Sequence, residues 1–174
     1  MISNIDRNVG LLRTFLDDEG LTDNTIFIFT TDNGTAGGAK VHNAGMRGRK
    51  TENWEGGHRV PFIARWPGRI PAGRVTDQMT NTTDIFATLA SVVGYKLPDT
   101  AATDSFDMLP AMLRTQSPKQ SIRPHLLTQS FRGEFQIRKE NWKYLDHKGS
   151  GGNGYEKGNL KKFSLKEKEP EAPG

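Results

Sequence analysis

Asp32 and Asn33 stand side by side at the end of the apolar run Thr25-Ile26-Phe27-Ile28-Phe29-Thr30, in the sequence Thr31-Asp32-Asn33-Gly34. A run rich in β-branched and aromatic residues reads as a strand, so its tip carries two hard oxygen donors that one cation can reach. In open α/β sheets, ligands bind outside the carboxyl ends of the strands. Asn-Gly is also a strong hairpin signal, but a hairpin needs a second alternating apolar run after the turn. Thr35-Ala36-Gly37-Gly38-Ala39-Lys40 offers none.

Downstream lies a glycine-rich basic loop, Gly45-Met46-Arg47-Gly48-Arg49-Lys50-Thr51. Its glycines permit close backbone approaches that suit a loop folded over an anion, and an ammonium is a movable point charge for tetrahedral oxyanions. The loop has a superficial likeness to a phosphate-binding P-loop. It fails on spacing, because Arg49 rather than glycine precedes Lys50. His42 and Arg47 are further candidates to face a substrate, and an imidazole can exchange protons with one. On composition alone both read equally as surface residues.

The loop continues through Glu52-Asn53-Trp54-Glu55-Gly56-Gly57-His58-Arg59-Val60-Pro61 into Phe62-Ile63-Ala64-Arg65 and the turn Trp66-Pro67-Gly68. A strand ending in Asp-Asn-Gly, a glycine-rich loop with a Lys, then Trp-Glu-Gly-Gly-x-Arg-x-Pro and Trp-Pro-Gly, all in this order, resembles the sulfatase family of the formylglycine-dependent arylsulfatase type. The resemblance extends over almost the whole chain but represents only the later portion of the family's sequence. It implies the α/β sandwich of the alkaline-phosphatase-like superfamily, here incomplete, with a small C-terminal antiparallel subdomain. It further implies a sulfuric ester hydrolase acting on sulfate esters. Asp32 and Asn33 fall on positions that help hold a divalent cation, usually calcium, and Lys50 on the lysine that contacts the sulfate. Trp54 and Glu55 read as loop supports, and His58 and Arg59 as structural residues. Phosphotransfer enzymes share this fold, so a phosphoric ester hydrolase is an alternative, as is a non-catalytic relative that binds an anion or a partner.

The absences carry equal weight. The family's formylglycine derives from a Cys or Ser in Cys/Ser-x-Pro-x-Arg; this chain has no Cys, and none of its serines has that context. The paired aspartates that complete the family's cation site are also unmatched, since Asp17-Asp18 lies toward the end of a helical pattern. Two donors are few for calcium, which takes about six to eight oxygens. The expectation is a fragment that does not turn over sulfate esters alone.

Composition agrees with a portion of a larger domain. The chain has 174 residues, 34% of them hydrophobic, and its apolar material is concentrated in the first two thirds. Exposed faces and sheet edges are expected, with self-association through them. A net charge of +4 with both signs interspersed does not point to nucleic acid. No stretch approaches the roughly 18 apolar residues of a membrane span, and the N-terminus lacks a signal-peptide pattern. Complete family members are often exported or lysosomal, and these residues leave the compartment open.

The elements that must position these residues follow from periodicity. Ile5, Val9, Leu12 and Leu16 share one face of a helix that ends near Glu19-Gly20, followed by the turn Asp23-Asn24. Pro61 to Trp66 reads as a second, buried strand. Thr83 or Asp84 caps a helix whose Ile85, Leu89, Val92 and Val93 face inward, and a short helical stretch spans Met108 to Arg114. From Ile122 the pattern changes to short strands at Leu126–Gln129, Glu134–Lys139 and Asn141–Asp146, with Trp142 and Tyr144 on one face. The expected division is 1–121 for the later part of the α/β domain, 122–148 for the start of the antiparallel subdomain, and 149–174 for a flexible glycine-rich and charged tail.

Overall fold

The computed structural model describes residues 1–116 and 120–152. Two compact units emerge: the first takes residues 1–29 and 62–123, the second residues 30–61 and those from Pro124 on. The elements are α1 (Ile2–Asp18), β1 (Phe27–Thr30), α2 (Glu55–His58), β2 (Phe62–Arg65), α3 (Asp84–Val92), α4 (Leu109–Leu113), β3 (Leu126–Gln129), β4 (Phe135–Lys139) and β5 (Trp142–Leu145). Short 3₁₀ turns occupy Thr22–Asn24 and Gly37–Lys40. The helices and strands expected from periodicity form within a few residues of their expected ends. The single helical turn α2 was not anticipated, because four residues containing Gly-Gly carry no helical period.

In the first unit β1 pairs with β2. Ile26, Ile28 and Phe62 line a cavity of about 20 Å³ together with Ile85 and Leu89 of α3 and Met108. The expected inward set of α3 is corrected in part: its buried residues are Asp84, Ala87 and Thr88, whereas Leu89 and Val93 are exposed. The reason is a polar anchor. Asp84 is fully buried, and its carboxylate accepts from the Asn81 amide at 2.7 Å, the Phe106 amide at 2.9 Å and Arg123 Nη2 at 2.7 Å. Thr88 Oγ1 donates to the Asp84 carbonyl and accepts from the Met108 amide. Thr83 occupies the N-cap position of α3, but no side chain makes a capping bond there.

Two further expectations differ. The strand at Phe62 is half-buried, with Ile63 exposed. No residue of α1 is buried, and Ile5, Leu12 and Phe15 of its apolar side face solvent. Among the described residues no helix is long and apolar enough to cross a membrane.

In the second unit β3, β4 and β5 form an antiparallel sheet in that order. Leu127 is paired with Ile137, and Ile137 with Tyr144, so these side chains form one rung on one face. That face is the exposed one, reaching 81% exposure at Trp142. The opposite face carries Thr128, Gln136, Arg138 and Lys143, and Gln136 is 1% exposed. The sheet therefore buries its polar side. At the start of the glycine-rich segment Gly151 and Gly152 are buried, and the Ser150 carbonyl accepts from the Asn53 amide at 2.8 Å. The expected charged tail, and the rest of the glycine-rich segment, lie outside the described residues.

The Asp84–Arg123 pair generates a stability prediction. Replacing one partner of a buried ion pair strands the other charge, at a cost of about 3–5 kcal/mol. Arg123→Met is expected to lower the unfolding free energy obtained from urea denaturation by that order, while Asp84→Asn with Arg123→Met together lose less than Arg123→Met alone. Equal losses in the single and double variants would show that Asp84 is not held by Arg123.

Candidate active site

The two loops that carry the sequence candidates meet through backbone. The Gly34 amide donates to the Gly57 carbonyl at 2.9 Å, and the Lys50 amide donates to the Thr35 carbonyl at 2.9 Å. The Gly56 amide donates to the Arg47 carbonyl at 2.7 Å, which closes the basic loop onto α2. These contacts require glycine. A Cβ on Gly34 would stand 1.8 Å from the Gly56 carbonyl oxygen, and one on Gly56 would stand 2.3 Å from that of Gly48. Both distances are far inside van der Waals contact, so Gly34 lets the Asp-Asn-Gly segment lie against Gly56, and Gly56 lets α2 lie against the basic loop.

This packing sorts the candidates by partner. Arg47 stacks over the Trp54 ring with its guanidinium carbon 3.8 Å from the centroid, which makes it a support for the loop. Arg49 is buried and pairs with Glu52 at 3.5 Å. The Lys50 ammonium has no hydrogen-bond or ion-pair partner among the described residues. The Asp32 carboxylate is likewise unpartnered and exposed, beside a half-buried Asn33 whose carbonyl accepts from Thr31 Oγ1. His42 is exposed, beyond the 3₁₀ turn at Gly37–Lys40.

Asp32 and Asn33 were tested as a cation site on their donors. Carboxylate and amide oxygens have the right hardness, but two side chains fall well short of calcium's coordination number. Among the described residues no group of three or more His, Asp or Glu side chains is placed to hold a metal. The pair does not constitute a complete site.

What sequence reasoning missed is the machinery behind the loop. Asn53 is 1% exposed, and its Nδ2 donates to the Glu134 carbonyl at 3.0 Å and lies 2.8 Å from His147 Nε2. Lys143 Nζ lies 2.5 Å from Glu55 Oε1, 3.1 Å from the Asn53 carbonyl and 3.2 Å from His58 Nε2. The ammonium thus meets a carbonyl oxygen and a carboxylate, with the imidazole beside them. Arg138 Nη1 donates to the other Glu55 oxygen at 3.0 Å. Arg138 and Lys143 are register partners on β4 and β5, two cations side by side that Glu55 neutralises together. The available signal was the alternation of Gln136 and Arg138 against Phe135 and Ile137.

Burial shifts these groups. It lowers His58 below its ordinary 6.5, and the neighbouring Lys143 charge adds to the effect against the opposing pull of Glu55. Burial alone would raise Glu55, but the hydrogen bond and charge of Lys143, with His58 and Arg138, outweigh it and hold the carboxyl low. Burial also lowers Lys143, against the raising effect of Glu55. His58 Nε2 also lies 3.1 Å from the Asn53 carbonyl, which can only accept, so a proton on Nε2 serves that carbonyl.

The chain is similar to known proteins over much of its length. Residues 1–95 match the model of the sulfatase family. The chain is similar to N-acetylgalactosamine-6-sulfatase of Canis lupus familiaris, with 41% identity over 125 residues, covering 70% of this chain and 24% of that protein. It is similar to N-acetylgalactosamine-6-O-sulfatase of Bacteroides thetaiotaomicron, with 32% identity over 158 residues, covering 84% and 30%. Among solved structures, the PsFucS1 sulfatase from Pseudoalteromonas sp. superposes with a TM-score of 0.68 at 30% identity, over 80% of this chain and 28% of that one. The chain thus spans about a quarter of the length of the curated relatives it matches.

A pH dependence follows from His58. Its folded pKa lies below the unfolded value, so the unfolded state binds more protons and stability falls as pH drops below about 6.5. His58→Gln should flatten that part of the pH–stability curve, as measured by urea denaturation at successive pH values between neutrality and pH 5, while leaving the lower carboxylate limb. An unchanged slope would show that His58 is not the titrating group.

Proposed function

This chain belongs to the sulfatase family, and we propose that it supplies the cation-facing and sulfate-facing part of a sulfuric ester hydrolase site, through Asp32, Asn33 and Lys50. The observation that carries this reading is the unpaired charge: of the three cations Arg47, Arg49 and Lys50, the first stacks on Trp54, the second pairs with Glu52, and the ammonium of Lys50 alone has no partner among the described residues. A loop built to fix its other two cations and leave one unpaired fits an anionic ligand. Lys50 would stabilise the charge that develops on the sulfate oxygens as the sulfur–oxygen bond breaks.

The nucleophile is outside this chain's repertoire, because no Cys is present and no Ser stands in Ser-x-Pro-x-Arg. The formylglycine would come from a preceding portion of the domain. The same portion would add the oxygen ligands that Asp32 and Asn33 lack for calcium. The relatives named for N-acetylgalactosamine 6-sulfate chemistry favour a sulfated sugar as the substrate class. The exposed apolar residues of α1 and the exposed face of β3–β5 support self-association when nothing else covers them.

Three outcomes test this reading. In a complete enzyme, with the formylglycine-bearing portion restored, Lys50→Ala should lower turnover about a hundredfold or more, the scale of losing one preorganised charge donor. The chain by itself should show no aryl-sulfate hydrolysis above background; purification-resistant activity would mean another nucleophile and overturn the assignment. For the cation, calorimetric titration of the chain should give calcium binding no tighter than about millimolar. Micromolar affinity that disappears on Asp32→Ala would show a complete site in these residues.

A further inference from the structure

We infer that Lys143, on β5 and remote in sequence from the site motifs, is the positioning residue that sets the geometry of the Asp32–Gly34 and Lys50 loops; this rests on the proposed role of Lys50. The path is a short series of hydrogen bonds. Lys143 holds the Asn53 carbonyl, the Glu55 carboxylate and His58 Nε2, which are the start, the first helical residue and the end of the segment containing α2. From that segment the Gly57 carbonyl receives the Gly34 amide, next to Asp32 and Asn33, and the Gly56 amide reaches the Arg47 carbonyl of the basic loop. The Thr35 carbonyl, one residue past Gly34, then receives the amide of Lys50. One ammonium therefore fixes the support to which both loops are tied.

The chemistry of the contact suits positioning. The ammonium sits 3.1 Å from the Asn53 carbonyl and 2.5 Å from the Glu55 carboxylate, with His58 Nε2 at 3.2 Å, so its neighbours span the helical turn from its first residue to its last. Arg138 supports Glu55 from its second oxygen, and Arg59 stands 3.7 Å from that same oxygen at the surface. Glycines at 56 and 57 leave α2 no apolar side chain of its own to bury, so directional polar bonds take the role that core packing plays elsewhere.

The experiment compares the full chain with Lys143→Met, Lys50→Met and Glu55→Gln by amide hydrogen exchange and by NMR titration with inorganic sulfate. Lys143→Met should speed exchange at the Gly34, Lys50 and Gly56 amides by at least about tenfold, the scale of losing a charge-assisted hydrogen bond, while α3 amides keep their protection. The sulfate-induced shift at Lys50 should weaken in parallel. Unchanged exchange at those three amides overturns the proposal. If Lys143→Met also exposes α3, Glu55→Gln decides, because it keeps the volume and removes the counter-charge: selective loosening of the three amides supports positioning, and uniform loosening overturns it. Lys50→Met separates the two readings. It should abolish the sulfate response with the exchange pattern intact; a surviving sulfate response defeats the role of Lys50, while the exchange result still judges Lys143.

Discussion

The close approach of Gly34 to Gly56 and Gly57 is the constraint on which the second unit depends. A Cβ on Gly34 would overlap the Gly56 carbonyl oxygen, and one on Gly56 or Gly57 would overlap the carbonyl of Gly48 or Glu52. The Gly34 contact brings the Asp-Asn-Gly segment against α2, and the hydrogen bond from Gly34 to Gly57 fixes its register. Asp32, Asn33 and Lys50 take their places from this backbone, since none of the three is anchored by its own side-chain charge. Functional side chains that project from a fixed backbone remain available to a ligand, whereas side chains spent on anchoring do not.

A backbone contact of this kind has little apolar surface to bury, and the hydrophobic effect scales with that surface. The stabilisation must come from elsewhere. The sheet β3–β4–β5 supplies it by turning its polar face inward, so that Gln136, Arg138 and Lys143 meet Asn53, Glu55 and His58. Buried polar groups are costly unless they find partners, and most of this cluster does: Lys143 meets the Asn53 carbonyl and the Glu55 carboxylate, and Arg138 donates to the second Glu55 oxygen. The apolar rung Leu127, Ile137 and Tyr144 is consequently left on the outer face.

This inversion explains what was and was not legible in the sequence. The period of Ile5, Val9, Leu12 and Leu16 gives α1, and the β-branched run before Asp32 gives β1, because local periodicity and propensity are properties of contiguous residues. The alternation in β4 and β5 likewise gives two strands and their pairing of faces. Which face is buried does not follow from alternation, and the usual rule that apolar residues point inward selects the wrong side here. α3 shows the same effect. Ile85, Leu89 and Val93 mark an apolar stripe, yet the buried positions include Asp84 and Thr88, whose partners Phe106, Met108 and Arg123 lie some twenty to forty residues away. Such partners cannot be read from spacing. The motif from Lys50 to Pro61 identifies a family, but only coordinates connect Glu55 to Arg138 and Lys143, more than eighty residues later.

The same arrangement accounts for the division of labour among neighbouring cations. Five basic side chains, Arg47, Arg49, Lys50, Arg138 and Lys143, belong to one unit, and their mutual repulsion must be offset. Glu52 offsets Arg49, Glu55 offsets Arg138 and Lys143, and the face of Trp54 receives Arg47. Had the loop carried another carboxylate near Lys50, its ammonium would be neutralised and an incoming anion would meet no net attraction. Two acids serve three of the structural cations and an aromatic face receives the fourth, while among the described residues no acid pairs with Lys50, whose backbone is fixed. A fixed charge stabilises an oxyanion without reorganising as the reaction proceeds, and that economy depends on the rigidity supplied by the glycine contact and the buried polar cluster together.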